Sequence, residues 1–409
     1  MLAAAQTSSP QSYDCFVLSG GGAKGAYGAG VAKAIFAYRH LKNRNNPICF
    51  IGASAGALNA YLLASQGVDA LIKFWTEVTN ASILDVYITN AKFQGALHWA
   101  TNWGRTPYSV YPNSGLRKLI GDHARLGDVE SPLIIAATDY TKAELKAFYV
   151  SPLIDKLVED DANRPIRERR LNHFRRLDTD EALANALLAS AAIPVFFPPV
   201  EITTSHNGNS ETGWYIDGGV GNHTPTREAG YFFRYIESLK LGTPGIVYCI
   251  KQDPPRALVN AREALGAGDI LMRTLEVYHR IHMDPIIRGW FRINNEVERQ
   301  HERLEHFKTW LASQPLSQSM RDAICDRAKN EFVNLGGRAP RLSAPMIEIE
   351  PATKLADSLN FDPVEARKTI ERGYSETLLV LRNTKVKQVS LDEAEYVHLK
   401  DRRIFEGDP

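Results

Sequence analysis

What most limits the folds open to this chain is a local pattern that occurs three times: a short apolar run that ends in a glycine-bracketed turn. Cys15-Phe16-Val17-Leu18 leads into Ser19-Gly20-Gly21-Gly22-Ala23-Lys24-Gly25, and Ile48-Cys49-Phe50-Ile51 leads into Gly52-Ala53-Ser54-Ala55-Gly56. Far downstream, Gly213-Trp214-Tyr215-Ile216 leads into Asp217-Gly218-Gly219. Four apolar residues closed by a turn signal read as a buried strand, and the first two turns open into helix-compatible sequence. Further strand-like runs at 133–138, 146–150, 246–250 and 346–350 alternate with helix-like segments. Strands buried on both faces and interleaved with helices imply an α/β protein of three layers, its central sheet mostly parallel and covered by helices on both sides. In such sheets ligands bind where strands end, and the three turns fall there.

A glycine loop between strand and helix points successive N–H groups into one concavity, where the helix dipole also favours negative charge. It is able to hold a phosphate or the oxyanion of an acyl transfer. Gly20-x-Gly22-x-x-Gly25 matches the dinucleotide fingerprint, but that site needs an acid about twenty residues on, and Cys15 to Val68 contains no Asp or Glu. A P-loop needs Ser or Thr after the lysine, and Lys24 is followed by Gly25. The second turn has the form of a nucleophile elbow, in which Gly52 and Gly56 let the backbone turn sharply and expose the Ser54 hydroxyl. A serine needs a base, and Asp217, at the end of a strand with glycines behind it, is the better candidate. Aspartate titrates near 3.9 in water, so it must be desolvated and in contact with the hydroxyl to serve.

In these blocks the chain resembles the patatin-like phospholipase family. Beyond the three turns, the resemblance includes Ala136-Ala137-Thr138-Asp139, the block Ala189-Ser190-Ala191-Ala192-Ile193-Pro194-Val195-Phe196-Phe197-Pro198-Pro199, and the run Asp217 to Pro225. It covers much of the first 225 residues and implies a serine acyl hydrolase that cleaves phospholipid or lysophospholipid esters with a Ser-Asp dyad. Transferred by position, it implies Ser54 as nucleophile, Asp217 as base, and the N–H groups of Gly21 and Gly22 as part of the oxyanion hole. Gly20, Lys24, Gly25, Gly52, Gly56, Gly218 and Gly219 support the motifs. No metal or organic cofactor is implied. Ser19 stands where many members have aspartate, and Lys24 where many have arginine, which removes the bidentate fork from any anion contact.

The chain has 409 residues, 44% of them hydrophobic and 23% charged, enough for a large core. A catalytic core is expected over 13–255, a charged helical insertion or cap over 256–340 with breaks at Asp284-Pro285 and Gln314-Pro315, and a closing strand and helix over 341–390. A formal net charge of +1 gives no general attraction to nucleic acid, which is not an expected partner, or to membranes, so peripheral membrane contact would need a local patch. The four scattered cysteines read as buried reduced thiols, and the absence of a signal-peptide pattern and of any long apolar run gives a cytoplasmic expectation.

Three features invite other readings. Arg164, Arg167, Arg169, Arg170, Arg175 and Arg176 suit anionic lipid, but a solvated face paired with Glu159-Asp160-Asp161 is the simpler account. Phe93, Trp99, Trp103, Tyr108 and Tyr111 suit either core packing or an acyl pocket and lid. His223, six residues after Asp217, suits a loop at the site mouth or the base of a Ser-His esterase. A non-enzymatic alternative is a module whose glycine loop binds a nucleotide phosphate.

Overall fold

Each apolar run read as a strand forms one in the computed structural model, which describes residues 11–84, 109–206, 209–255, 267–333, 344–355, 357–386, 389–402 and 404–405. The strands are β1 (Ser12–Leu18), β2 (Ile48–Ala53), β3 (Leu133–Asp139), β4 (Glu144–Val150), β5 (Phe174–Arg176), β6 (Val200–His206), β7 (Asn209–Ile216), β8 (Thr243–Ile250) and β9 (Met346–Ile349). Among the described residues they make one sheet in the order β5-β4-β3-β2-β1-β8-β9, with β7 paired to β3 and β6 to β7. β1, β2, β3, β8 and β9 run parallel, whereas β3–β4, β3–β7 and β6–β7 are antiparallel.

The apolar runs lack alternation because both faces of the sheet are covered. Phe16 and Leu18 of β1 join Phe50, Ile135 and Tyr248 in one core cluster. Helices α1 (Gly25–Leu41), α2 (Ala55–Ser65) and α3 (Gly67–Glu77) pack on that face. Cys15 and Val17 face the other way, with Cys49, Ile51, Ile134 and Val247, against Phe232, Phe233 and Ile236 of a helix at Thr226–Ser238. Successive side chains of a strand point to opposite faces, so one strand feeds two cores.

Strand register explains how distant residues converge. Leu18 pairs with both Gly52 and Ile250, so β8, β1 and β2 end level with one another. They deliver Asp253, the glycine loop and Ser54 side by side. β2 and β7 share one edge of β3: β2 pairs as far as Ala53 with Ala136, and β7 takes over with Ile216 opposite Thr138. β2 runs parallel to β3 and β7 antiparallel, so they point at each other, and the next residues of each, Ser54 and Asp217, meet at the gap.

Three details differ from the sequence reading. Asp217 follows β7 and caps a short helix at Gly218–Asn222, its side chain accepting the Gly219 N–H. Pro285 does not break the chain: one helix runs from Ala267 to Ala312 through it, and the break falls only before the next helix, Gln318–Val333. An interior proline costs a helical hydrogen bond, and anchoring beyond it offsets this, with Ile287 buried and Trp290 Nε1 donating to the Ala344 carbonyl at 2.9 Å. β5 and β6 were not foreseen. Four of the five clustered aromatics lie outside the described residues; Tyr111 packs against Phe196 and Phe197 in the core.

Candidate active site

Ser54 sits at φ 55°, ψ −130° between β2 and α2, a left-handed conformation that costs a non-glycine residue energy and turns its side chain out of the sheet. The turn closes because Gly56 lets it lie against β1; a Cβ there would stand 2.2 Å from the Leu18 carbonyl oxygen. The Ser54 N–H donates to Ser190 Oγ at 2.9 Å, and that hydroxyl donates to the Ala136 carbonyl at 2.6 Å. Ser190 therefore pins the elbow to β3.

Asp217 is 5% exposed. Its N–H donates to the Ala192 carbonyl at 2.9 Å, its carbonyl accepts from Thr138 Oγ1 at 2.9 Å, and Oδ1 accepts the Gly219 N–H at 2.6 Å. Among the described residues Oδ2 is buried and makes no hydrogen bond of normal geometry. Burial pushes the carboxyl up to about 6 against the opposing pull of the Ser54 hydroxyl, the Gly219 N–H and His223. A carboxyl in that range is mostly ionised at neutral pH yet far more basic than an ordinary aspartate, which suits a general base.

The glycine loop leaves two amides unengaged. Gly20 N–H donates to the His223 carbonyl and Ala23 N–H to that of Ser358, but the N–H groups of Gly21 and Gly22 have no acceptor among the described residues. Gly22 needs to be glycine: its φ is +59°, and a Cβ would lie 2.2 Å from the Ser358 carbonyl oxygen. Ser19 holds the loop to the end of β8, its Oγ accepting the Gln252 N–H at 3.1 Å. Gly20, Gly21, Gly22, Ser54, Asp217 and Gly219 all line one cavity. Gly25, Gly52 and Gly218 support it from behind, with Gly25 opening α1, Gly52 lying against Gly56 and Gly218 against Ala136.

Lys24 faces two carboxylates, at 2.7 Å to Asp253 and 3.3 Å to Glu276. Burial alone would lower its pKa, but those two acids raise it. Asp253 is held well below the usual carboxylate range by His223 and Lys24, which overcome its desolvation. His223 Nε2 lies 3.6 Å from Asp253 Oδ2, and its ring stacks on His279 with centroids 3.9 Å apart. Burial, followed by the charge of His223, drives His279 down to about 2, so it is neutral. Sequence reasoning quoted Ser190 within a motif block without a role, and missed Asp253, Glu276 and His279. A polar residue just past a parallel strand flags Asp253, but no local signal marks Glu276 or His279.

A second cavity shares Gly22, Ser54 and Ile193 with the first and is apolar, with walls including Leu58, Phe74, Trp75, Phe197 and Phe361. Ser54 thus stands between this oily chamber and the first, whose walls are mixed and which is polar only in the Lys24, Asp217, His223, Asp253 and Glu276 side chains it carries.

A sheet that presents a strained serine beside a buried acid, with oily space next to it, is the architecture of an α/β acyl hydrolase. A family model described as patatin-like phospholipase matches residues 16–229, more than half of the chain, and the chain belongs to that family of lipid acyl hydrolases. No match was found among proteins of curated function. Among solved structures, VipD from Legionella pneumophila is similar over 95% of this chain and 74% of its own, at 15% identity and a TM-score of 0.36, too loose a likeness to support an argument.

Proposed function

We propose that Ser54 is the nucleophile, Asp217 its base, and the N–H groups of Gly21 and Gly22 the oxyanion hole of a hydrolase acting on phospholipid or lysophospholipid acyl esters. The observation that carries this reading is the meeting, on one cavity, of a strained serine, a buried carboxylate with an oxygen unengaged among the described residues, and two amides unengaged among them. Ser54 Oγ attacks the acyl carbonyl and gives its proton to Asp217, while the amides hold the developing negative charge. The apolar chamber takes the acyl chain and the polar one the departing alcohol.

Two rivals have less support. A nucleotide-phosphate site would use the cation of the glycine loop, yet Lys24 is held by Asp253 and Glu276. A Ser-His esterase would aim His223 at Ser54 as its base, yet Asp217 already stands at the gap where β2 and β7 meet.

The substrate is met at a lipid surface. Helix Ala267–Ala312 contributes Leu275, Glu276 and His279 to the polar chamber while Val277, Tyr278 and Ile281 are exposed to solvent. Among the described residues no helix is long and apolar enough to cross a membrane, so the contact proposed is peripheral.

The test combines labelling with product analysis. A fluorophosphonate should label wild type but not Ser54→Ala, and mass spectrometry of phospholipid incubations should show free fatty acid released by wild type alone. Asp217→Asn should lose hydrolysis, and retention of full activity in that variant would overturn the dyad.

A further inference from the structure

We infer that His223, held by Asp253, is a second proton-transfer group of the site: it protonates the departing alcohol and later activates the hydrolytic water. This inference rests on the Ser54–Asp217 reading and adds a residue which that reading leaves idle.

A single carboxylate acting alone must carry every proton in both half-reactions. The strand ends supply another carrier. Asp253 follows β8 beside the glycine loop and faces His223 Nε2, and Nδ1 has no hydrogen-bond partner among the described residues. A Cβ placed on Gly20 would lie 3.0 Å from both His223 Nδ1 and Ser54 Cβ, so those two atoms flank the loop no more than about 6 Å apart. His223 and Asp253 line the polar chamber and not the apolar one, whereas Ser54 lines both. A leaving oxygen in the polar chamber lies between Ser54 and the ring.

The neighbours of His223 fit this task. The Asp253 carboxylate stands at ion-pair distance, 3.6 Å, from Nε2 and draws that edge of the ring toward it, while Lys24 and, through it, Glu276 fix Asp253. His279 lies flat on the other face of the ring as a neutral imidazole, adding contact without a second charge. Asp217 also feels the charge of His223.

The protons balance across the cycle. In acylation the Ser54 Oγ–carbon bond forms, the Ser54 proton moves to Asp217, the carbon–alkoxide bond breaks, and the alkoxide takes the Nδ1 proton of the His223 imidazolium. In deacylation water attacks the acyl carbon and gives a proton to Nδ1, the carbon–Oγ bond breaks, and Ser54 recovers its proton from Asp217. The cycle ends with Asp217 ionised, His223 charged and one carboxylic acid released.

The test compares two esters of the same acyl chain: a nitrophenyl ester, whose phenolate departs unprotonated, and a glyceryl ester, whose alkoxide does not. Loss of a positioned acid costs roughly 10²–10⁴ in rate. His223→Gln should therefore lower kcat/KM for the glyceryl ester about a hundredfold more than for the nitrophenyl ester. It should also give a burst of one nitrophenolate per enzyme, because deacylation then lacks its base. Asp253→Asn, which keeps the ring, should show the same selective loss to a smaller degree. Equal losses on both esters in both variants would overturn the inference. If fluorophosphonate labelling of Ser54 persists in His223→Gln, the dyad reading stands whichever way the ester comparison falls. If labelling disappears while nitrophenyl turnover collapses, His223 is the attacking base, and the dyad falls as well.

Discussion

Asp217 is placed where it harms the fold, and that cost is measurable. Its carboxyl is pushed from an ordinary 3.8 to about 6 by burial. Between those values the folded state binds more protons than the unfolded one, so this group's contribution is favourable below about pH 4 and is lost as pH rises through 6. A shift of about two units corresponds to about 3 kcal/mol withheld at neutral and higher pH. Asp217→Asn should therefore be inactive yet melt higher than wild type at pH 7.5, with the advantage gone at pH 4. Thermal melts at the two pH values test this, and equal differences at both would refute the burial argument. As the proposed base, Asp217 must be ionised, and the nitrophenyl ester needs no acid for its leaving group, so kcat/KM for that ester should fall tenfold per pH unit below about 6 and level off above it.

At the scale of elements, two contacts hold the site in shape. Ser190, at the end of the helix Asp180–Ser190, is the only described side chain bonded to the Ser54 amide, and it is fully buried. Ser190→Ala would leave that N–H and the Ala136 carbonyl short of a partner, at about 1–3 kcal/mol. We expect a lower midpoint in urea and at least a tenfold loss of kcat/KM, and an unchanged midpoint would show that water replaces the hydroxyl without cost. The second contact is the crossing of α1 with the helix Pro363–Asn383, where a Cβ on Gly30 would stand 1.9 Å from the Ile370 carbonyl oxygen. Gly30→Ala should destabilise by about 1–3 kcal/mol through overpacking. Because the segment before that helix carries Ser358 against Gly22 and Phe361 into the apolar chamber, activity should fall with it. Limited proteolysis around residues 351–362 would report the loosened helix, and wild-type resistance there would count against the link. These elements also mark how far the sequence was legible. Glycine-bracketed turns reveal Ser54 and Asp217 because the constraint is local. Val200, Ile202 and Thr204 alternate with exposed neighbours, so β6 carried a period-two signal that went unread. The partnerships of Ser190 with Ser54 and of Lys24 with Asp253 span 136 and 229 residues, and no local pattern encodes them. Pro285 misled because proline propensity is local, whereas the packing that outweighs it is not.

At the scale of the molecule the question is what brings a lipid to Ser54, and charge is a poor candidate. The formal net charge is +1, and several arginines of the basic segment already have partners: Arg164 is 2.6 Å from Asp160, Arg175 3.4 Å from Glu211, and Arg176 2.7 Å from Asp178. Apolar contact has better support, since Val277 and Ile281 are 42% and 62% exposed on the helix that also walls the polar chamber. Burying an aliphatic side chain of this kind in lipid is worth about 1.5–3 kcal/mol, so replacing both with aspartate should weaken partitioning by tenfold or more. Sedimentation with phosphatidylcholine vesicles should show that loss for the Val277→Asp, Ile281→Asp double variant, with hydrolysis of a soluble short-chain ester as the control for folding. Wild-type binding should change little between 0.05 and 0.5 M salt, because apolar transfer is not screened, whereas attraction between exposed charges is cut within a Debye length of about 10 Å at 0.1 M. Binding that collapses with salt and survives both aspartates would move the docking surface to the arginine segment instead.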